Sequence, residues 1–129
     1  MEGEKIKEKA MHRILDKCFP KYLKKHEVPF FKKKVDFIYI DKKNKIYAIE
    51  LKIKDWKQSI NQIDVNQLFA HYSSLGIWHE YLDNVSMDIF EKYGFGLISI
   101  YPKDIKIIRE PFESQIRQDK FSEKILQFM

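Results

Sequence analysis

Two short runs rich in Val, Ile and Tyr, Val35–Ile40 and Ile46–Ile53, are separated only by the polar segment Asp41-Lys42-Lys43-Asn44-Lys45. β-Branched and aromatic residues on both sides of a short polar loop predict a β-hairpin. Side chains alternate between the faces of a strand, so Tyr47, Ile49, Leu51 and Ile53 point one way and Ile46, Ala48, Glu50 and Lys52 the other. On the preceding strand Val35, Phe37 and Tyr39 share a face, and Asp36, Ile38 and Ile40 share the opposite one. Closing the loop sets Ile40 against Ile46, Ile38 against Ala48 and Asp36 against Glu50. Only registers of this parity match apolar to apolar on both faces. Two carboxylates then oppose each other at the end of an apolar face, with Cβ atoms roughly 4.5–5.5 Å apart. Like charges so placed cost stability. A divalent cation removes the conflict, since Mg²⁺ takes carboxylate oxygens readily and keeps several waters. Lys52 projects beside the pair on the same face, near such a water.

The triplet Glu-x-Lys means little alone in so lysine-rich a chain. Three Asp-x-Lys triplets, Asp41-Lys43, Asp55-Lys57 and Asp104-Lys106, also occur, each in a predicted turn or at an element boundary. Glu50-Leu51-Lys52 alone lies inside an apolar strand and faces an aspartate across a hairpin.

The rest of the chain supplies covering elements. Ile6, Ala10, Met11, Ile14, Leu15 and Cys18 recur at helical spacing, predicting a helix from Glu4 to Cys18. Val28–Phe31, interrupted by Pro29, reads as an edge strand. A helix is expected from about Trp56 to Tyr72. Its apolar residues change side midway, which implies a bend near Asp64 or burial on two sides. Leu75–Tyr81 reads as a strand and Asn84–Tyr93 as a helix ended by Gly94. Phe95–Tyr101 and Ile105–Arg109 form a second hairpin turned at Pro102-Lys103-Asp104, and a last helix starts near Glu113. The order is that of an α/β fold, a mixed sheet flanked by helices, in a single domain spanning residues 1–129.

Composition narrows the function classes. No run approaches the ~18 apolar residues of a membrane span, and the charge-alternating N-terminus lacks a secretory h-region. With Cys18 the single cysteine, an internal disulfide and a multi-cysteine zinc site are both excluded. A cytoplasmic protein is the expectation. Residues 1–57 hold 17 Lys and Arg against 9 Asp and Glu, whereas residues 58–129 hold 7 against 10. A basic half suits a polyanionic partner, although a lysine-rich surface is also ordinary solvation.

The run Val35-Asp36, a gap and Glu50-Leu51-Lys52 resembles the PD-(D/E)XK signature of restriction-endonuclease-like phosphodiesterases, with Val35 where the name has Pro. The expected element order over residues 4–81 is similar to that superfamily's α-β-β-β-α-β core. Glu27-Val28-Pro29-Phe30, Asp55-Trp56 and Gln62 add a likeness to a subset of uncharacterised prokaryotic members. Holliday-junction resolvases have similar length and carboxylate spacing but lack the Asp-Trp and Gln pattern.

The resemblance implies a Mg²⁺- or Mn²⁺-dependent nuclease acting on nucleic acid, DNA before RNA. Asp36 and Glu50 would ligate one or two such cations, with the Leu51 carbonyl as a third ligand, and Lys52 would orient water and stabilise the transition state. A glutamate from the first helix often joins such sites. Glu8 is favoured over Glu4, because Met11 and Leu15 place it at the edge of the core-facing stripe. Gln62 would position Lys52 or a water, with Gln67 as its competitor on another side of the helix. Lys32, Lys33, Lys34 and Lys54 are candidates for phosphate contact. The four histidines lack metal-binding spacing and read as ordinary surface or core residues. Trp56 and Trp78 read as core, and Cys18 as a small buried hydrophobe. Because one site cuts one strand, double-strand cleavage would require a homodimer or two visits. The rival readings are a catalytically inactive nucleic-acid-binding or assembly module on the same fold, and a protein in which Asp36, Glu50 and Lys52 are a local ion-pair cluster.

Overall fold

The computed structural model describes residues 2–129, with side chains from Lys7 onward. The elements are α1 (Glu2–Cys18), β1 (Leu23–Phe30), β2 (Lys33–Ile40), β3 (Ile46–Lys52), α2 (Ile60–Asn66), β4 (Tyr72–Trp78), α3 (Met87–Tyr93), β5 (Gly96–Ile100), β6 (Ile105–Arg109) and α4 (Asp119–Leu126). The strands form one sheet in sequential order. β1, β2 and β3 run antiparallel, β3, β4 and β5 run parallel, and β6 returns antiparallel. This mixed six-stranded sheet flanked by helices is an α/β fold whose order is consistent with a restriction-endonuclease-like core.

Parallel neighbours need crossovers, and α2 and α3 supply them on one face of the sheet. Their residues Ile63 and Phe90 bury against Leu75, Ile77 and Leu97. On the other face Met11, Ile14 and Leu15 of α1 pack on Phe37, Ile49, Leu51, Trp78, Ile98 and Ile100. Each such large side chain, once fully buried, contributes about 1.5–3 kcal/mol, so both faces of β3 are anchored. Gly76 lies under this layer because a Cβ there would come within 2.8 Å of Leu51 and Ile100 side chains. Among the described residues, no helix is long and apolar enough to cross a membrane.

Several boundaries differ from expectation. The segment expected as one helix from Trp56 to Tyr72 is a 3-10 turn at Trp56–Ser59, then α2, which ends at Asn66. The change of apolar side marks that end: Phe69 and Ala70 leave the α2 layer and pack on the β1–β2 hairpin. Tyr72 already opens β4. Likewise His79–Asn84 is a 3-10 helix, so α3 starts at Met87 and stops at Gly94, whose φ of 73° forms the left-handed cap. Residues 113–118 are not helical. Their backbone binds across to the 66–71 segment, Ser114 donating to His71 and Gln118 to Leu68, before α4 begins. The edge strand β1 is longer than expected and continues through Pro29. Ile6, expected on the helical stripe, lies outside the residues whose side chains are described.

Candidate active site

The hairpin register is as expected as far as Ile40–Ile46, Ile38–Ala48 and Phe37–Ile49, where the paired ladder stops. One step further, the Asp36 carboxylate replaces the missing backbone partner: Leu51 N–H donates to its Oδ2 at 2.8 Å. β1 is interrupted at the same level. Its pairing with β2 runs on both sides of Glu27 and Asp36 but omits that rung, and Glu27 has φ 54°. Here the expected alternation fails. Phe37 buries with α1, whereas Val35, two residues earlier, buries with Ile38, Ile46 and Ala48 on the opposite side. His26 and Val28 change sides in the same way, His26 meeting Phe37 with ring centroids 4.9 Å apart and Val28 joining Val35. Both strands bend at this point, and Asp36 sits in the bend.

Glu50 follows Ala48 on the α2 side, beside Leu75 of β4, and is only 5% exposed. Its carboxyl is hydrogen-bonded to that of Asp36. Burial, then the Asp36 charge, pushes the Glu50 carboxyl up to about 8. Burial also raises Asp36, against the stabilising Leu51 N–H and the hydrogen bond with Glu50. A proton between the two oxygens removes the repulsion. Glu50 holds that proton near neutral pH, because burial and the neighbouring Asp36 charge both disfavour its ionised form.

The helix α2 supports Glu50 through two amides. Asn66 Nδ2 donates to Glu50 Oε2 at 2.8 Å, and Gln62 Nε2 donates to Asn66 Oδ1 at 2.9 Å. Asn66 and Gln62 are four residues apart, so one helical face aims both at the site. Gln62 therefore faces it through Asn66. Gln67 turns away, its Nε2 donating to the Tyr93 carbonyl at 3.4 Å. Lys52 lies on the Glu50 face of β3 beside Ile77 and is half-buried. It makes no hydrogen bond or ion pair among the described residues.

From the other face α1 brings His12, not Glu8. Glu8 is exposed and without a hydrogen bond or ion pair among the described residues, and the Glu4 side chain lies outside them. One atom each from His12, Glu27 and Asp36 lie within 4.8 Å of one another, close enough to share a metal ion. His12 Nδ1 meets His26 Nδ1 at 2.6 Å, and His26 Nε2 meets Asp16 Oδ1 at 2.6 Å. Burial, then His26, holds His12 below the usual imidazole range, against the pull of Asp36, Glu27 and Asp16.

His12, Glu27 and Asn66 were not singled out from sequence as site residues. His12 and His26 come from a helix and a strand fourteen residues apart, so no local spacing reveals them. Glu27 reaches Asp36 only because β1 breaks there. Asn66 had a local signal, its position four residues after Gln62 on one helical face. Lys32 lies in the β1–β2 turn and Lys33 and Lys34 open β2, all exposed, and Lys54 is exposed just after β3. His71 is structural, its Nδ1 accepting from Ile46 N–H at 2.9 Å. Trp56 and Trp78 are core residues, as expected, and Cys18 is partly buried against the α1 layer.

No protein-family model matches the chain, and no curated protein matches it. Among solved structures it is similar to the SPO1766 protein of unknown function from Silicibacter pomeroyi. That match has a TM-score of 0.72 and 17% identity over 91% of this chain and 79% of that one. A crystal structure of a repair endonuclease from Pyrococcus abyssi aligns at TM-score 0.47 and 20% identity, over 79% of this chain and 47% of that one. At 17% identity the first likeness is one of fold, and function is read from the site.

Proposed function

We propose that the protein is a metal-dependent nuclease of the PD-(D/E)XK type that hydrolyses phosphodiester bonds, in DNA before RNA. The observation that carries this reading is the contact between the partly buried Asp36 and the buried Glu50, with Lys52 on the same face of β3 and without a hydrogen bond or ion pair among the described residues. A buried and a partly buried carboxyl whose charges repel fit a divalent cation, because a cation neutralises both at once. Asp36 and Glu50 would hold Mg²⁺ or Mn²⁺, with the Leu51 carbonyl completing the protein ligands. Bound there, the cation lowers the pKa of its water and neutralises charge on the phosphate.

The remaining work falls to the chain itself. Asn66, backed by Gln62, fixes the Glu50 carboxyl in one orientation. Leu51 N–H does the same for Asp36. Lys52 orients the attacking water and balances the charge that develops on the phosphoryl oxygens, a role suited to a compact ammonium. The water oxygen bonds to phosphorus, the bond to the leaving sugar oxygen breaks, and a proton ends on that oxygen. Exposed Lys32, Lys33, Lys34 and Lys54 would contact the phosphate backbone. A single site cuts one strand, so cutting both calls for a homodimer or two visits.

Incubation with plasmid, single-stranded DNA and RNA, each with Mg²⁺, Mn²⁺ or EDTA, tests this reading. Cleavage that needs the cation and disappears in Asp36→Asn is the expected result. Binding of nucleic acid without cleavage under any cation would instead identify an inactive binding module.

A further inference from the structure

We propose that His12, Glu27 and Asp36 form a second, mixed nitrogen–oxygen cation position that takes Mn²⁺, Co²⁺ or Zn²⁺ in preference to Mg²⁺, with Asp16 and His26 holding His12 ready to bind. The inference deepens the nuclease reading, because Asp36 belongs to both groups of ligands.

The argument starts from where protons can sit. An ionised Asp16 only accepts, so the 2.6 Å contact requires a proton on His26 Nε2. A neutral His26 then has its lone pair on Nδ1. The 2.6 Å contact between the two Nδ1 atoms needs one proton, and His12 must supply it. A neutral His12 is left with its lone pair on Nε2. With both rings neutral, this is the one arrangement that satisfies the chain.

That lone pair is directed at oxygen atoms. His12 Nε2 lies 3.5 Å from Glu27 Oε1, and an Asp36 oxygen completes the group within 4.8 Å. Three electron-rich atoms from α1, β1 and β2 thus converge where the sheet bends. Their mutual repulsion is relieved by a cation between them. Hydrogen-bonding the far nitrogen of a ligating histidine to a partner is how proteins fix its tautomer and strengthen its basicity. Here the partner is a second histidine backed by a carboxylate. An imidazole ligand favours transition metals over Mg²⁺, which prefers oxygen donors alone.

The test uses the whole protein without nucleic acid. Mn²⁺ binding is followed by electron paramagnetic resonance, with pulsed detection of ¹⁴N coupling to the bound ion. Mg²⁺ competition gives the relative affinity. The wild type should show ¹⁴N coupling and bind Mn²⁺ at least about tenfold more tightly than Mg²⁺. His12→Gln should lose the coupling. Asp16→Asn, which leaves all three ligands in place, should keep it and weaken Mn²⁺ binding roughly 10-fold or more. Absence of coupling in the wild type, or its persistence in His12→Gln, overturns the proposal. Should His12→Gln fail to fold, unchanged Mn²⁺ affinity in Asp16→Asn overturns it instead. The two readings fail separately. Nitrogen coupling in a protein that cuts nothing removes the nuclease activity and leaves the site, whereas cation-dependent cleavage without coupling removes the His12 site alone.

Discussion

At Glu50, burial and the charge of Asp36 oppose ionisation while the Asn66 amide favours it, and burial wins. The folded carboxyl titrates at about 8, against 4.5 for the free group, so the folded state binds the proton more tightly. Stability from this source is complete below pH 4.5 and is lost as pH rises through 8. Without metal, the melting temperature should therefore fall across that window. Glu50→Gln mimics the protonated form and should flatten the dependence. By pH 8 it should melt higher than the wild type, by roughly 3–6 °C for each kcal/mol gained. A wild-type profile that is level from pH 5 to 8 would contradict the shared proton. Divalent cations act on the same pair from the other side, since they displace the proton and bind only the folded site. Saturating Mn²⁺ should raise the melting temperature, and more so at pH 8 than at pH 6. Asp36→Asn should abolish the response, as read by calorimetry. Lys52 has a different signature. Its loss to Ala should lower turnover by about 10²–10³ at every Mg²⁺ concentration without weakening cation binding. Full rescue by excess metal would reduce Lys52 to a screening charge.

The strands show what alternation can and cannot reveal. Between Phe37 and Ile53 the period of two placed each side chain correctly, because a strand with both faces buried tolerates no slip. The Asp36–Glu50 juxtaposition is legible from the register of the rungs up to Phe37–Ile49, one step away. The bend at Glu27 and Asp36 was not, since nothing in His-Glu-Val announces a left-handed residue and no glycine marks the place. It is nevertheless the bend that opens Asp36 to α1 on one face and to α2 on the other. A β-region expectation for Glu27 also hid its carboxylate from the candidate ligands. The helix after β3 fails in the opposite manner: its apolar residues suggest one helix bent near Asp64 or buried on two sides, whereas the change of side is a change of element. A left-handed conformation costs a residue with a Cβ roughly 1–2 kcal/mol. Glu27→Gly and Glu27→Ala both remove the carboxylate, so their difference isolates the backbone. Chemical denaturation should find the glycine variant more stable than the alanine one by about 1 kcal/mol, after the larger unfolded-state entropy of glycine is set against the relief. Equal stabilities would mean that the bend relaxes once the side chain is gone.

Across the whole molecule the site occupies one end of the sheet, at the carboxyl end of the parallel strand β3, where open α/β sheets leave a crevice for ligands. The loop from Asp41 to Lys45 closes the hairpin at the other end. Lysines stand at both ends, which gives the basic half of the sequence an internal comparison. Lys32, Lys33 and Lys34 are exposed on the hairpin end next to Asp36, and Lys42 and Lys43 are exposed on the distant loop. If a phosphate backbone lies across the site, only the first group meets it. Each phosphate neutralised on duplex DNA contributes about 0.9 to the slope of log K against log salt. Replacing Lys32, Lys33 and Lys34 together by Gln should therefore weaken binding and flatten that slope by about 2–3. Replacing Lys42 and Lys43 should leave the slope close to that of the wild type, with only a slight loss from the reduced net charge. Anisotropy of a short labelled duplex, titrated in EDTA at several salt concentrations, separates binding from cleavage. All five side chains are exposed, so neither variant disturbs the core, and melting temperatures near the wild-type value check that. A slope unchanged by the triple substitution, or flattened as much by the loop pair, would move the nucleic-acid surface away from the carboxylate end of the sheet.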